Sequence, residues 1–349
     1  MCDSSDQAGD CGSERGILRN HPASARILRR WRELTGGKVV RDSDRRTVVA
    51  CSGGADSVAL AVVLACVEPK PTLVHVVHDI RDDGSAEVDR DAVKGLAVQL
   101  GCQFDERSVL VKALGGNLES NAREARYAAL CDMAAKAGAG YIATGHHSDD
   151  QLETVLMNLI RGSGVRGMSG VSPKREMGTV HVVRPMLEVT REEIEVLCGL
   201  AGASWQHDHT NDDEGYLRNR VRHSVIPVLK EVEPDIALRA SGLARSSRET
   251  SEVLGNLIDD QIASAAVRKG TEWAWEREFL RVQPAACLGE LLFVYVREVL
   301  SGVGADSIGR RAIDGVIRGI KSDATDPRVH RVGPIVVHVR AREVVISDT

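Results

Sequence analysis

The chain has 349 residues, a formal net charge of −5 and 43% hydrophobic residues. That length suits two domains with ample core, and the mild acidity excludes a globally basic nucleic-acid binder, so a polyanion would have to meet a local basic face. Eight cysteines at 2, 11, 51, 66, 102, 131, 198 and 287 form no Cys-x-x-Cys pair, which argues against a zinc ribbon or an iron–sulfur cluster; no stretch is long enough to span a membrane and no signal-like core opens the chain, so the expectation is a cytoplasmic protein with reduced thiols and no membrane partner.

In chain order, residues 1–12 are polar and expected to be disordered. Residues 21–35 carry Arg26, Arg29, Arg30 and Arg32, a basic leading helix within an N-terminal extension over 1–45. Then strands and helices alternate. Thr47–Cys51 reads as a strand, Asp56–Val67 as a helix and Thr72–His78 as a strand. A helix over Ala86–Leu100 stops at Gly101, and Gln103–Val109 is extended. Asn117–Ala137 is a helix stopped by Gly138, Tyr141–Thr144 a strand and Asp149–Ile160 a helix. This alternation predicts an α/β fold with a doubly wound parallel sheet, over residues 46–230. Thr190-Arg191-Glu192-Glu193 opens a helix with a capping box. From Leu217 to about 320 helical patterns dominate, and Arg328–Ser347 alternates like a small β-meander. Residues 235–349 are therefore expected to form a mostly helical C-terminal domain. Its stretch 310–342 holds eight Lys/Arg against three Asp, a basic face suited to RNA phosphates.

Ligands of such sheets bind beyond the carboxyl ends of the strands, and three polar clusters fall there. Ser52-Gly53-Gly54-Ala55-Asp56-Ser57 follows the first strand. His75 and His78 close the second. Gly145-His146-His147 follows Tyr141–Thr144. Two glycines let the first turn approach an anion, and the amides opening the next helix face it. No Gly-Lys-Ser/Thr follows, so this is not a Walker A loop.

Four further patterns carry chemistry. Arg123 and Arg126 share a helix face and would suit phosphates, although alone they also read as a solvated face beside Glu119 and Glu124. His146 and His147 lack the His-Glu-x-x-His spacing of a zinc site. Asp149 or Asp150 can cap the following helix, while Asp150 and Glu153 share a face that suits a cationic substrate or Mg²⁺. Arg161-Gly162-Ser163-Gly164-Val165-Arg166-Gly167-Met168-Ser169-Gly170, with four glycines and two arginines, reads as a mobile, anion-friendly loop. Asp208 to Asn211 precedes Arg218 and Arg222, which stack four apart on one helix face.

The loop Ser52–Ser57 resembles the pyrophosphate loop of the N-type ATP pyrophosphatases, which share an adenine nucleotide alpha hydrolase-like fold. Taken with the other motifs, in this order, residues 46–230 resemble the tRNA(Ile)-lysidine synthases. The resemblance implies ATP-dependent ligation of free L-lysine to carbon 2 of the wobble cytidine of an isoleucine tRNA, through an adenylated tRNA, with AMP and pyrophosphate released. It implies that Ser52, Gly53, Gly54, Ala55 and Ser57 cradle pyrophosphate, with Asp56 holding Mg²⁺. Arg126 and Arg222 would neutralise charge at the α-phosphate, and Asp150 with Glu153 would receive the lysine ammonium. His146 and His147 would border the nucleotide. Arg161, Arg166 and Arg218 would contact substrate, and Asp208 and Asn211 would shape the loop before the arginine helix. Asp79 departs from the family, which usually has glycine after the histidine corresponding to His78. A homodimer stays open. The alternative is another enzyme of this superfamily, such as a tRNA 2-thiolase; the missing Cys-x-x-Cys counts against it. A non-catalytic RNA-binding protein would show no ATP turnover.

Overall fold

The computed structural model describes residues 18–78, 85–110, 118–206, 217–300 and 308–349. The expectations for residues 1–12 and for Asp79, Asp208 and Asn211 lie outside the described residues. The chain divides into two compact units, Met1–Thr154 with Gly170–Gly242, and Val155–Ser169 with Leu243–Thr349.

The first unit is built on a six-stranded sheet. Its strands are β1 (Thr47–Ala50), β2 (Thr72–His78), β3 (Gln103–Val109), β4 (Tyr141–Ala143), β5 (Lys174–Met177) and β6 (Val180–Val183), in the order β3-β2-β1-β4-β6-β5. All neighbours pair in parallel except β5, which joins β6 antiparallel at the edge. Nothing in the local pattern signals that edge hairpin: Lys174-Arg175-Glu176 is exposed and lacks apolar alternation. The order reverses between β1 and β4, so the loops leaving these two strands flank the crevice where such sheets bind ligands.

Helices cover both faces. On one side lie α1 (Pro22–Leu34), α2 (Ala55–Leu64), α3 (Ser85–Leu100) and, after β6, α7 (Arg191–Leu200); between them in the chain come α4 (Leu118–Lys136), α5 (Ser148–Ile160) and α6 (Val165–Met168), the last of which belongs to the second unit. After α7 follow α8 (Leu217–Arg220), α9 (Ile226–Val232) and the long α10 (Ile236–Gln261). Trp31, Leu60, Leu64 and Leu197 belong to one core cluster, and Tyr127, Leu130 and Met133 of α4 to a second that includes Val48 and Ile142 of the sheet. Of the ten residues of α2, nine are buried. A helix apolar all round must be enclosed, and the one residue of α2 that keeps partial exposure is Asp56. Each of its fully buried leucines contributes about 2 kcal/mol by leaving water, so the loop before it stands on a firm base.

The second unit contains the helices α11 (Arg277–Arg281), α12 (Ala285–Val299) and α13 (Arg310–Lys321). It also holds a five-stranded antiparallel sheet, in the order β7-β8-β11-β10-β9. Its strands are β7 (Val267–Lys269), β8 (Glu272–Glu276), β9 (Arg328–Val332), β10 (Ile335–Val339) and β11 (Glu343–Asp348). The expected meander is present as β9 to β11. The expected helical run to residue 320 is broken by the hairpin β7–β8, which turns at Gly270 (φ +61°) and buries Trp273 and Trp275. Two tryptophans two residues apart share one strand face, a period-2 signal hidden inside a helix-rich stretch.

The glycine-rich stretch 161–170 holds regular structure. Backbone bonds from Gly162 to Leu159 and from Ser163 to Asn158 close it. The Asn158 side chain donates to the Gly167 carbonyl at 2.7 Å, and α6 forms within it. Arg166 of α6 is paired with the buried Glu290 of α12, and its guanidinium lies 4.7 Å from the Phe293 ring centre.

Candidate active site

The turn after β1 is held in shape from inside. Gly53 has φ +93°, a conformation that a residue with a side chain rarely adopts. The buried Ser57 hydroxyl donates to the Gly54 carbonyl at 2.9 Å and accepts from the Ser52 amide at 3.1 Å. Its oxygen is thus engaged in shaping the loop. The exposed Ser52 and the amides opening α2 are the groups able to face an anion. Behind the loop, His75 Nδ1 lies 2.8 Å from the Cys51 carbonyl oxygen and is buried, so this nitrogen bears the proton. Gln206 donates its amide to the Gly53 carbonyl at 3.0 Å from the other side.

Asp56, in the first turn of α2, meets a guanidinium and an imidazole. Its Oδ1 lies 2.6 Å from Arg191 Nη1 and 3.7 Å from His147 Nε2. Burial pushes the Asp56 carboxyl above the ordinary carboxylate value; His147 and Arg191 oppose this, and nearby Asp150 adds to it. Among the described residues no cluster of three or more His, Cys, Asp or Glu could hold a metal. The donor set is one main carboxylate, which fits Mg²⁺ arriving with a polyphosphate and keeping waters, and does not fit a cage made of protein.

The loop after β4 forms the opposite wall. Thr144 Oγ1 is 2.9 Å from His146 Nδ1. Asp150, at the third position of α5, accepts from the His147 amide at 2.9 Å, so the expected capping is done by Asp150, while Asp149 pairs with Lys230 at 2.7 Å. Burial would raise the Asp150 carboxyl, but His147, His146 and the His147 amide outweigh it and hold it below the ordinary range. His146 is pushed down to about 4, first by burial and then by Arg184, Arg123 and Arg126, against the pull of Asp150.

The arginine helix meets the other carboxylate. From Leu217 to Val232 the chain is helical, with a wider π-helical turn over Val221–Val225 between α8 and α9. Such turns often sit at functional sites because they re-aim side chains. Arg218 pairs with Glu153, and Arg222 reaches Glu153 Oε2 at 2.7 Å and Asp150 Oδ1 at 3.5 Å. Glu153 is 1% exposed. Its charge is thus matched by two guanidiniums, which the reading of Glu153 as an ammonium receptor did not foresee.

Arg126 is exposed on α4, one turn from Arg123, whose guanidinium lies 5.3 Å from the Tyr127 ring centre. Three residues escaped the sequence reading. Arg184, buried just after β6, donates to the Ser172 carbonyl at 2.7 Å and to the Tyr127 hydroxyl at 3.3 Å. Arg191 read only as part of a capping box, and His75 only as one of two strand-end histidines. Nothing local could reveal these roles, since Arg191 and Asp56 are 135 positions apart. Arg161 and Arg166 belong to the second unit.

Residues 25–229, more than half of the chain, match the PP-loop domain family. The chain is 37% identical over 281 residues to the tRNA(Ile)-lysidine synthase of Salinispora arenicola, covering 77% of this chain and 80% of that protein. The chain belongs to the tRNA(Ile)-lysidine synthase family. It is also 39% identical over 224 residues to the tRNA(Ile)-lysidine synthase of Geobacter sulfurreducens, over 62% of this chain, and 36% identical over 256 residues to that of Symbiobacterium thermophilum, over 70% of this chain. It spans 47% and 52% of the length of those two lysidine synthases. Among solved structures, the U34-tRNA thiolase NcsA from Methanococcus maripaludis is similar at 19% identity with a TM-score of 0.49, over 65% of this chain and 79% of that one.

Proposed function

We propose that this protein ligates free L-lysine to carbon 2 of the wobble cytidine of an isoleucine tRNA, using ATP and Mg²⁺, in the cytoplasm. The observation that carries this reading is the loop Ser52–Ser57 at the reversal point of the sheet, with the only partly exposed residue of α2, Asp56, 3.7 Å from His147 Nε2, which in turn lies 3.9 Å from Asp150. Membership of the family supports the substrate assignment, and the missing Cys-x-x-Cys favours it over sulfur transfer.

In this reading Ser52 and the amides of Gly53, Gly54 and Ala55 hold the phosphates, and Ser57 keeps the loop in shape. Asp56 would hold Mg²⁺, which when bound would neutralise phosphate charge. Oxygen 2 of the cytosine attacks the α-phosphorus, that bond forms and the bond to pyrophosphate breaks. The ε-amine of lysine then attacks carbon 2, losing a proton, and AMP leaves with the oxygen. Arg222 and Arg126 stabilise charge that grows at the α-phosphate. Asp150 receives the ammonium of lysine, since it is held ionised, and Glu153 orients Arg218 and Arg222. His146, held neutral, and His147 border the nucleotide. Arg161 and the basic face over 310–342 meet tRNA phosphates.

Pyrophosphate release tests this directly. It should require both ATP and tRNA(Ile), and Asp56→Ala should slow it at least ~10²-fold, the scale for losing one charge-stabilising group. Release at the wild-type rate in Asp56→Ala would remove Asp56 from the metal site.

A further inference from the structure

Arg191 stands at the first position of α7, with its backbone fixed by the capping box: the Glu193 amide donates to Thr190 Oγ1 at 3.3 Å, and the Thr190 amide donates to Glu193 Oε2 at 3.1 Å. The same helix buries Ile194, Leu197 and Cys198 in the core cluster that holds α2. The two helices therefore set the root of Arg191 firmly beside Asp56. Its Nη1 is 2.6 Å from Asp56 Oδ1 and its Nε 3.0 Å from Glu195 Oε1.

A cation in the first turn of a helix opposes the helix dipole, so α7 gains nothing from Arg191 at this place. Glu195 and Asp56 offset the charge, yet the donor facing Asp56 competes for the carboxylate oxygen that a divalent cation would take. An arginine that blocks a metal ligand is useful only if the metal arrives with anions that the arginine can take up instead.

We infer that Arg191 is a pyrophosphate-contacting residue that shields Asp56 while the loop is empty. This inference rests on the proposed binding of magnesium nucleotide at Asp56. With a bare divalent cation, the guanidinium next to Asp56 repels it. With a magnesium polyphosphate, Asp56 goes to the metal and the planar fork of Arg191 turns to the oxygens of the leaving pyrophosphate, a group it suits better than a lysine would. The two effects have opposite signs, which a residue that only supports the fold would not produce.

The test uses the full chain as wild type, Arg191→Gln and Arg191→Lys. Binding of Mn²⁺ alone is followed by electron paramagnetic resonance, and binding of magnesium pyrophosphate by calorimetry, with melting curves to confirm folding. Arg191→Gln should bind Mn²⁺ on the order of tenfold more tightly, because one like charge has gone, and magnesium pyrophosphate on the order of tenfold more weakly. Arg191→Lys should keep the exclusion of Mn²⁺ and lose pyrophosphate affinity in part. In a folded Arg191→Gln, affinities that are unchanged or that fall together overturn the inference. Should Arg191→Gln fail to fold, Arg191→Lys decides: wild-type affinity for magnesium pyrophosphate overturns it. Wild-type protein that binds no magnesium ATP would instead overturn the reading of the loop, so the two failures are separable.

Discussion

Gly145 lies so close to Asp56 that a Cβ at position 145 would stand 2.8 Å from the Asp56 carbonyl carbon and 3.0 Å from the Ser57 amide nitrogen. The obstacle is helix backbone, which cannot swing aside as a flexible side chain can. Gly145→Ala should therefore push the β4 loop away from α2, costing about 1–3 kcal/mol as overpacking does and lowering turnover with it. Gly140→Ala, where an added Cβ meets nothing within 4 Å, is the control. Equal melting temperatures for the two variants would contradict the close approach.

Glu153, Arg218 and Arg222 form a triad in which one buried carboxylate answers two half-exposed guanidiniums. Either arginine alone can keep Glu153 paired. Arg218→Ala and Arg222→Ala should each cost about 1 kcal/mol or less, while the double variant should cost clearly more than the sum, because it leaves a buried charge uncompensated. Urea denaturation measures this, and additive losses would mean that Glu153 finds another partner.

His146 carries a pH signature. Burial, followed by the charges of Arg184, Arg123 and Arg126, lowers it from 6.5 to about 4. The folded state then holds a neutral ring, so its contribution to stability is fully present above 6.5 and is lost as pH falls from 6.5 toward 4. On the order of 1–2 kcal/mol should disappear between about pH 7 and pH 5. His146→Asn should show a flatter profile over that window. A profile identical to wild type would place the proton uptake elsewhere.

How much of this was legible in the sequence depends on distance along the chain. The β1–loop–α2 unit could be read locally, because an apolar run, two glycines and a second apolar run dictate strand, turn and buried helix. That Arg218 and Arg222 reach the same carboxylate agrees with their spacing of four. The partners of these groups could not be read: Arg222 meets Glu153 across 69 positions and Arg191 meets Asp56 across 135. The hairpin β7–β8 hid because three and five residues are too few for a period to stand out within helical surroundings.

On α13, Ile313, Val316 and Ile320 face the core, and Arg310 pairs with Asp314 at 3.0 Å. The exposed Arg311, Arg318 and Arg328 are candidates for RNA phosphates. Changing these three to alanine should weaken tRNA binding and reduce the slope of log affinity against log salt by about one for each phosphate that is no longer engaged, with ATP binding unchanged. An unaltered slope would move the RNA platform away from this face.

The measurement that bears most directly on the proposed ligation is mass spectrometry of nucleosides from tRNA(Ile) incubated with the protein, ATP, Mg²⁺ and isotope-labelled lysine. The wobble cytidine should acquire the labelled lysine, this should require ATP, and Asp56→Ala should abolish it. A wobble cytidine that stays unmodified while the wild-type protein hydrolyses ATP, or that gains sulfur when a donor is supplied, would contradict it.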